Sequence, residues 1–235
     1  MLALVTLALS VAFAAAPLFS GDFSGFASDL LPYPQINPPV QPAGYAFAIW
    51  GLIYVWLIAS AVYGLIYHAD DPQWNAVRIP LCISLAVGVP WLMIAQVSAI
   101  WATVTIFIMA LSAIAALHQT PEVRLRWLRV PVALYAGWLT AASFVSLATT
   151  MAGYNIGPDA DGWAIIGIIG ALALTIATYR RTQSPMYFGA VIWALIGICF
   201  ANGMQNFLIT ALAITGIVIL ICVMAMQAPR IKRQI

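Results

Sequence analysis

The sequence predicts an all-α, polytopic transmembrane helix bundle with about eight spans and with both the N- and C-termini in the cytoplasm. Of its 235 residues, 64% are hydrophobic and only 7% are charged, and the mean hydropathy is +0.99. A soluble domain carries about 25% charged residues. The apolar residues fall into segments of about 17–25 residues, the length that crosses a hydrocarbon core of about 30 Å. Because backbone amides in lipid must find partners inside the protein, such segments form helices.

The basic residues set the predicted orientation. With the N-terminus inside, all nine Lys and Arg residues lie at cytoplasmic ends, namely Arg78, Arg124, Arg126, Arg129, Arg180, Arg181, Arg230, Lys232 and Arg233. The aspartates at positions 22, 29, 159 and 161 lie outside, as the positive-inside rule requires. The basic residues are spread over several short loops and form no patch for nucleic acid. The expected partner is therefore the lipid bilayer.

Proline, glycine or charged residues bound each predicted span. In order, the spans are residues 2–19, 45–67, 79–97, 101–117, 130–151, 163–179, 186–201 and 207–226. A Pro- and Gly-rich outer loop, residues 20–44, follows the first span, and almost no loop separates the third span from the fourth. The first span has the apolar core of a signal peptide but no basic residue before it. We expect it to be retained; if it were cleaved, seven spans would remain.

The spans carry no charged residue near their centres, which argues against ion-coupled transporters, proton pumps and voltage sensors. No Ser-His-Asp set, carboxylate pair or phosphate-binding loop is present, so we do not expect an enzyme. His68 and His118 lie at the inner ends of the second and fourth spans and are weak candidates for haem or chlorophyll ligands. Interfacial histidines at helix ends explain them better. Cys82, Cys199 and Cys222 show no metal-binding spacing.

Aromatic side chains with a polar tip are the main candidates for a binding function. The chain has 9 Trp and 9 Tyr, and those near span ends fit an interfacial belt. A deeper group consists of Trp50, Tyr54, Trp56, Trp91, Tyr135, Trp138 and Trp193. Such rings can line a pocket for a flat apolar ligand, or they can pack helix against helix.

The segment NPPVQPAGYAFAIWGLIYVWL, residues 37–57, resembles the tryptophan-rich sensory protein family, also called the TspO/MBR or translocator-protein family. Pro38 and Pro39 match the Pro-Pro turn in the family's first outer loop. Trp50 and Tyr54 match the Trp-x3-Tyr of its second helix, where positions i and i+4 share one face.

Two later segments resemble the same family. VPWLM around Trp91 is similar to its third-helix tryptophan motif, and RVPVALYAGWLTAASF, residues 129–144, is similar to its fifth helix. Two asparagines of the family pattern are not matched, because Gly88 stands three residues before Trp91 and residues 145–147 contain no asparagine.

The resemblance covers roughly residues 1–152 and predicts how the chain is organised. Residues 1–152 form a TspO-like five-helix unit, residues 162–227 form three additional transmembrane helices, and residues 228–235 form a basic cytoplasmic tail. The family branch, together with the helical spans and their charge bias, implies the inner membrane of a bacterium. A homodimer is a further possibility, as are partners in a larger membrane complex.

The resemblance also implies a binding site. A pocket enclosed by five helices and covered by the first outer loop would bind a porphyrin, a haem-like tetrapyrrole or another flat hydrophobic ligand. Its implied ligand-binding residues are Pro38, Pro39, Tyr45, Phe47, Trp50, Tyr54, Trp91, Tyr135 and Trp138.

Three functions follow as hypotheses. The first is a membrane sensor or receptor for such a ligand. The second is a structural or assembly subunit of a larger membrane complex, with or without pigments, in which the small residues Gly167, Gly170, Ala171 and Ala173 allow close helix approach. The third is a transporter of apolar molecules, although no inverted repeat or charged coupling site is evident.

Overall fold

The computed structural model describes residues 1–20, 23, 25–120 and 126–231. Within these ranges the regular structure is helical, without β-strands. The α-helices are α1 (Leu2–Ala15), α2 (Pro17–Ser20), α3 (Ile49–Tyr67), α4 (Pro72–Gly88), α5 (Trp91–Val97), α6 (Ala99–His118), α7 (Arg126–Gly153), α8 (Ala160–Thr182), α9 (Pro185–Asn202) and α10 (Phe207–Ile231). Eight helical segments of the described chain are long and apolar enough to cross a membrane, which confirms the predicted fold class.

Short helices complete several of the spans. Helices α1 and α2 form the first span, and α4 and α5 form the third. A 3₁₀ helix, Gly44–Ala48, leads into α3. Part of the predicted topology concerns residues outside the described ones: Asp22, Arg124, Lys232, Arg233 and the side chain of Arg230. The predicted tail at 228–235 shares its first residues with α10 and otherwise stays a prediction.

Helix α7 is the most buried of the eight spans. In its most apolar stretch, 72% of the residues lie inside the protein, and it packs against α3, α6, α8 and α9. Most of its hydroxyl groups form hydrogen bonds within the bundle: Thr140 donates to the Ala136 carbonyl at 2.9 Å, Ser143 donates to the Leu139 carbonyl at 2.7 Å, and the hydroxyls of Ser146 and Thr150 lie within 2.9 Å of the Thr103 hydroxyl of α6. Helix α7 can therefore lie at the centre of the bundle although it carries many hydroxyl groups.

Helices α8, α9 and α10 share one continuous hydrophobic core with the first five spans. On α8, a Cβ atom at Gly170 would lie 2.4 Å from the Phe144 ring of α7, and a Cβ atom at Gly167 would lie 3.2 Å from the Phe144 carbonyl oxygen. Gly167 and Ala171 are buried, and Ala173 is exposed. Most of the small-residue face considered for a partner is thus used for packing within the chain.

The predicted start of the third span at residue 79 is wrong, because α4 begins at Pro72. Asp71 caps the helix, with its carboxylate accepting from the Gln73 amide at 2.8 Å, and proline occupies the first helical position. Both features favour a helix start. The fifth span likewise begins at Arg126 rather than at residue 130. As a result, Arg78 lies inside a helix.

The Arg78 side chain is buried, with only 2% of its surface exposed. Its guanidinium donates to the Gly64 carbonyl at 2.8 Å, the Ala69 carbonyl at 2.9 Å and the Asn75 side-chain oxygen at 2.8 Å. The same group lies 5.4 Å from the centre of the Trp74 ring. A planar group with several donors can join the end of α3, the following turn and α4 in this way.

We expect Arg78→Leu to lower the free energy of unfolding by about 1–3 kcal/mol, because it removes three hydrogen bonds, one of them to the buried Gly64 carbonyl. The matched variant Arg180→Leu, at an exposed position in the last turn of α8, should change stability much less. Thermal unfolding of the purified protein in detergent measures both. Equal losses in the two variants would contradict this role for the Arg78 guanidinium.

Candidate ligand-binding cavity

An apolar cavity lies beneath the first outer loop, between α1, α3, α4, α5, α6 and α7. Its central compartment has a volume of about 280 Å³ and is lined by Phe13, Ala16, Pro17, Phe23, Gly44, Phe47, Trp50, Tyr54, Gly88, Trp91, Leu92, Ile106, Met109 and Leu139. Small-molecule pockets range from about 300 to 1,000 Å³, so this compartment alone falls just below that range.

Two further compartments extend the cavity. A narrow one of about 60 Å³ follows α7 and is lined in part by Trp138, Ala142, Val145, Ser146 and Thr149. It shares Phe47, Trp50, Trp91 and Ile106 with the central compartment. The other, about 410 Å³, forms a polar mouth near Gln35, Asn37, Pro38, Gln41 and Gln96. All three compartments have Phe23 in their lining, so they are adjacent to one another.

The start of the second span supplies one aromatic wall of the cavity. Trp50 and Tyr54 stand one helical turn apart on α3, and their rings stack with centres 5.5 Å apart at 18°. Phe13 of α1 packs edge-on against both rings, at 5.7 Å from Trp50 and 5.3 Å from Tyr54. Trp138 of α7 meets Trp50 edge-on at 6.2 Å. Residues from three helices thereby fix the orientation of Trp50.

The opposite wall depends on the interruption of the third span at Val89 and Pro90. Proline lacks a backbone donor and disfavours a continuous helix, so the span continues as the separate helix α5. Trp91 is the first residue of α5, and its indole N–H donates to the Ala102 carbonyl at 3.0 Å. Phe23 of the outer loop packs edge-on against Trp91 at 5.2 Å. The loop is thus in contact with the cavity wall.

Helix α9 holds the C-terminal half of the outer loop in place. Three hydrogen bonds make this connection: the Ala43 amide to the Gly197 carbonyl at 3.0 Å, the Asn202 side-chain amide to the Pro39 carbonyl at 2.8 Å, and the Trp193 indole to the Ala46 carbonyl at 2.8 Å. A Cβ atom at Gly197 would lie 2.8 Å from the Pro42 Cβ. Glycine at position 197 therefore allows the loop to approach α9 closely.

Six of the nine predicted ligand-binding residues line this site. Phe47, Trp50, Tyr54, Trp91 and Trp138 surround the two inner compartments. Pro38 lies at the mouth. The structure therefore brings together aromatic residues that are up to 91 positions apart in the sequence, from Phe47 to Trp138.

The other three do not line the cavity. Pro39 accepts the hydrogen bond from Asn202. Tyr45 is directed toward α9, where its ring packs edge-on against Trp193 and Phe200, each at 5.7 Å. Tyr135 is fully buried behind the wall, and its hydroxyl lies 2.9 Å from the Ser84 hydroxyl.

Neither candidate metal ligand lines the cavity. His68 follows α3, stacks on Trp74 at 4.9 Å and places Nδ1 3.3 Å from an Asp71 carboxylate oxygen. His118 is exposed in the last turn of α6. Among the described residues, no group of three or more His, Cys, Asp or Glu side chains is arranged to hold a metal ion.

Some lining residues were not predicted from the sequence, notably Phe13, Phe23, Phe26, Met109 and Thr149. Phe13 had a usable signal, because it is the only aromatic residue of α1. A Cβ atom at Gly88 would lie 2.7 Å from the Phe13 ring and 2.9 Å from the Met109 methyl group. Gly88, which replaces an asparagine of the family pattern, thus makes room for these two side chains.

These features define an integral membrane helix bundle with an interior cavity of aromatic character. The chain belongs to the TSPO-like protein family, since the model of that family matches residues 1–226. The match includes all eight spans and is not confined to the first five. No curated protein and no solved structure matches the chain. The division into a five-helix unit at residues 1–152 and three additional helices at residues 162–227 stays a prediction.

Two glycines of α9 allow a controlled test of the contact between the loop and this helix. Gly197→Ala should lower the free energy of unfolding by about 1–3 kcal/mol, because the added methyl group overpacks the contact with Pro42. Gly189→Ala should be neutral or slightly stabilising, since a Cβ atom there meets open space and alanine favours helices.

Thermal unfolding and amide hydrogen exchange in the loop measure this difference. Gly197→Ala should accelerate exchange at the Ala43 amide, whereas Gly189→Ala should leave it unchanged. Wild-type exchange at Ala43 in both variants would contradict a role for α9 in holding the loop.

Proposed function

We propose that this TSPO-like protein is a membrane receptor or sensor that binds a flat hydrophobic ligand of the porphyrin or tetrapyrrole class in the cavity beneath the outer loop. One observation carries the proposal. Five aromatic residues predicted for the site, Phe47, Trp50, Tyr54, Trp91 and Trp138, line the two adjacent inner compartments.

The chemistry of the cavity suits a ligand of this type. Aromatic rings bury large apolar areas and favour stacked or edge-to-face contacts with another flat ring system. The mouth carries the amide side chains of Gln35, Asn37, Gln41 and Gln96, which can contact polar groups at the edge of such a molecule. Apolar walls with a few polar groups are the usual composition of small-molecule sites.

Binding without catalysis is the simplest role for these walls. Among the described residues that line the three compartments, none carries a carboxylate, imidazole, thiol or amine. These groups supply most general acids, bases and nucleophiles. The TSPO-like family is not a classical enzyme family. We therefore propose that the ligand is held and sensed, and is not chemically converted.

The same proposal includes the bacterial inner membrane as the location. Helical spans and cytoplasmic basic residues are typical of inner-membrane proteins, whereas outer-membrane proteins are typically β-barrels. The receptor role requires that ligand binding alters a surface available to partners. Phe23 and Phe26, which belong to the outer loop and line the cavity, are suited to transmit such a change.

Titration with protoporphyrin IX tests the proposed function. The Soret absorbance of the porphyrin should saturate with wild-type protein, and Trp50→Ala should raise the Kd by about tenfold because an aromatic wall is lost. Tyr54→Phe should also weaken binding. Tyr63→Phe is the matched control, because Tyr63 also lies on α3 but stacks on Trp127, at 5.5 Å, away from the cavity.

A linear, non-saturating change that is equal in all four proteins would contradict the proposal. It would show that the porphyrin partitions into detergent.

A further inference from the structure

Three helices meet at the end of the bundle that is predicted to face the cytoplasm. The Arg129 guanidinium of α7 donates to the Thr120 carbonyl, just after α6, at 3.2 Å, and also to the carbonyl of Thr182, the last residue of α8. One side chain thus holds the C-terminal end of α6 beside the C-terminal end of α8. Because one compact guanidinium binds both carbonyls, the residues next to these carbonyls are also close to each other.

Basic side chains surround this meeting point. His118 is the last residue of α6, Arg181 stands next to Thr182 on α8, and Arg126 begins α7 one turn before Arg129. We call His118, Arg126 and Arg181 the basic junction. All three are exposed. Neither Arg126 nor Arg181 makes a hydrogen bond or an ion pair with the described residues, so both guanidinium groups are available to an anion.

The described acidic residues do not neutralise the basic junction. Asp29, Asp159 and Asp161 belong to the opposite, outer ends of the spans in the predicted orientation. Asp70 and Asp71 lie in the turn before α4, and the ion pair formed there joins Asp71 to His68. The seventh acidic residue of the chain, at position 122, lies outside the described residues.

The faces of α6 and α8 that carry the junction can be followed into the membrane. Phe107 of α6 meets Phe144 of α7 edge-on at 5.6 Å, and a Cβ atom at Gly170 of α8 would lie 2.4 Å from the same Phe144 ring. His118 follows Phe107 by eleven residues, and Arg181 follows Gly170 by eleven residues. Eleven residues make about three helical turns and about 16 Å, so each pair shares one face of its helix.

This distance matches one leaflet of a bilayer. Half of a hydrocarbon core of about 30 Å is about 15 Å. Phe107 and Gly170 lie near the middle of α6 and α8, so the basic junction lies at the level of the phospholipid headgroups.

The surface between these two levels is apolar and accessible. Leu111 stands one turn after Phe107 on α6 and is 56% exposed. Ala177 stands one turn before Arg181 on α8 and is also exposed. Together these faces form an apolar strip that ends in cationic side chains, which is the arrangement that an acyl chain attached to a phosphate requires.

We propose that the basic junction binds an anionic phospholipid of the cytoplasmic leaflet, of the phosphatidylglycerol class. Its phosphate pairs with Arg126 and Arg181 and accepts a hydrogen bond from His118, and its acyl chains lie along the apolar strip. Arginine binds phosphate oxygens through paired, charge-assisted hydrogen bonds, and basic pockets between the cytoplasmic ends of transmembrane helices bind anionic headgroups. This site is separate from the cavity and does not depend on the proposed function.

Titration of the full-length protein in detergent with palmitoyl-oleoyl phosphatidylglycerol or phosphatidylcholine tests the proposal. The two lipids have identical acyl chains, and the choline group of the second neutralises its phosphate charge. Native mass spectrometry counts the lipids bound to each protein. The first phosphatidylglycerol should bind about tenfold tighter than the first phosphatidylcholine, because it alone carries a net negative charge.

Substitutions then locate the site. Arg181→Gln should weaken binding of phosphatidylglycerol by about fivefold and leave phosphatidylcholine unchanged. Arg126→Gln should act in the same way. Arg180→Gln is the matched control, because it removes the same charge from an adjacent exposed position of α8 that is rotated by about 100° from Arg181. It should keep the affinity of the wild type.

Equal affinity for the two lipids would overturn the proposal. Equal weakening by Arg180→Gln and Arg181→Gln would also overturn it, because net charge alone would then explain the preference. Glycerophosphoglycerol, the headgroup without acyl chains, should not displace the lipid at tenfold excess; full displacement would assign the junction to soluble phosphate esters instead. If Arg181→Gln does not fold, Arg126→Gln decides against the same control.

Discussion

The polar groups of a protein surrounded by lipid must form their hydrogen bonds within the protein. The architecture of this bundle depends on that constraint. The central helix α7 satisfies it with hydroxyl groups that bond to carbonyls of the same helix, such as those of Thr140 and Ser143. Arg78 satisfies it with the Gly64 carbonyl near the end of α3 and the Ala69 carbonyl of the following turn.

The additional helices are structurally part of the cavity. Helix α9 bonds to the outer loop through Gly197, Trp193 and Asn202, and Ala194 of the same helix lines the narrow compartment. Helix α8 packs closely on α7 through Gly170. A five-helix bundle without these elements would lack the present anchor of its loop. This arrangement is consistent with a family match that continues through residue 226.

Most of the fold could be predicted from the sequence, and so could six of the residues that line the cavity. Hydropathy and charge defined the spans, because lipid imposes length and polarity directly on the sequence. Helical spacing correctly joined Trp50 and Tyr54. The orientation of Tyr45 was not accessible, because its contacts with Trp193 and Phe200 lie on a helix outside the recognised five.

The proposed function requires that a flat apolar ligand occupies the space between α3 and α7 beneath the outer loop. Photo-cross-linking with a diazirine-bearing porphyrin, followed by mass spectrometry of labelled peptides, tests this claim most directly. We predict saturable labelling of residues 44–67 and 126–153 that an excess of unmodified porphyrin suppresses. Labelling confined to the exposed faces of α8 and α10, without competition, would contradict the claim and indicate binding to the surface that faces lipid.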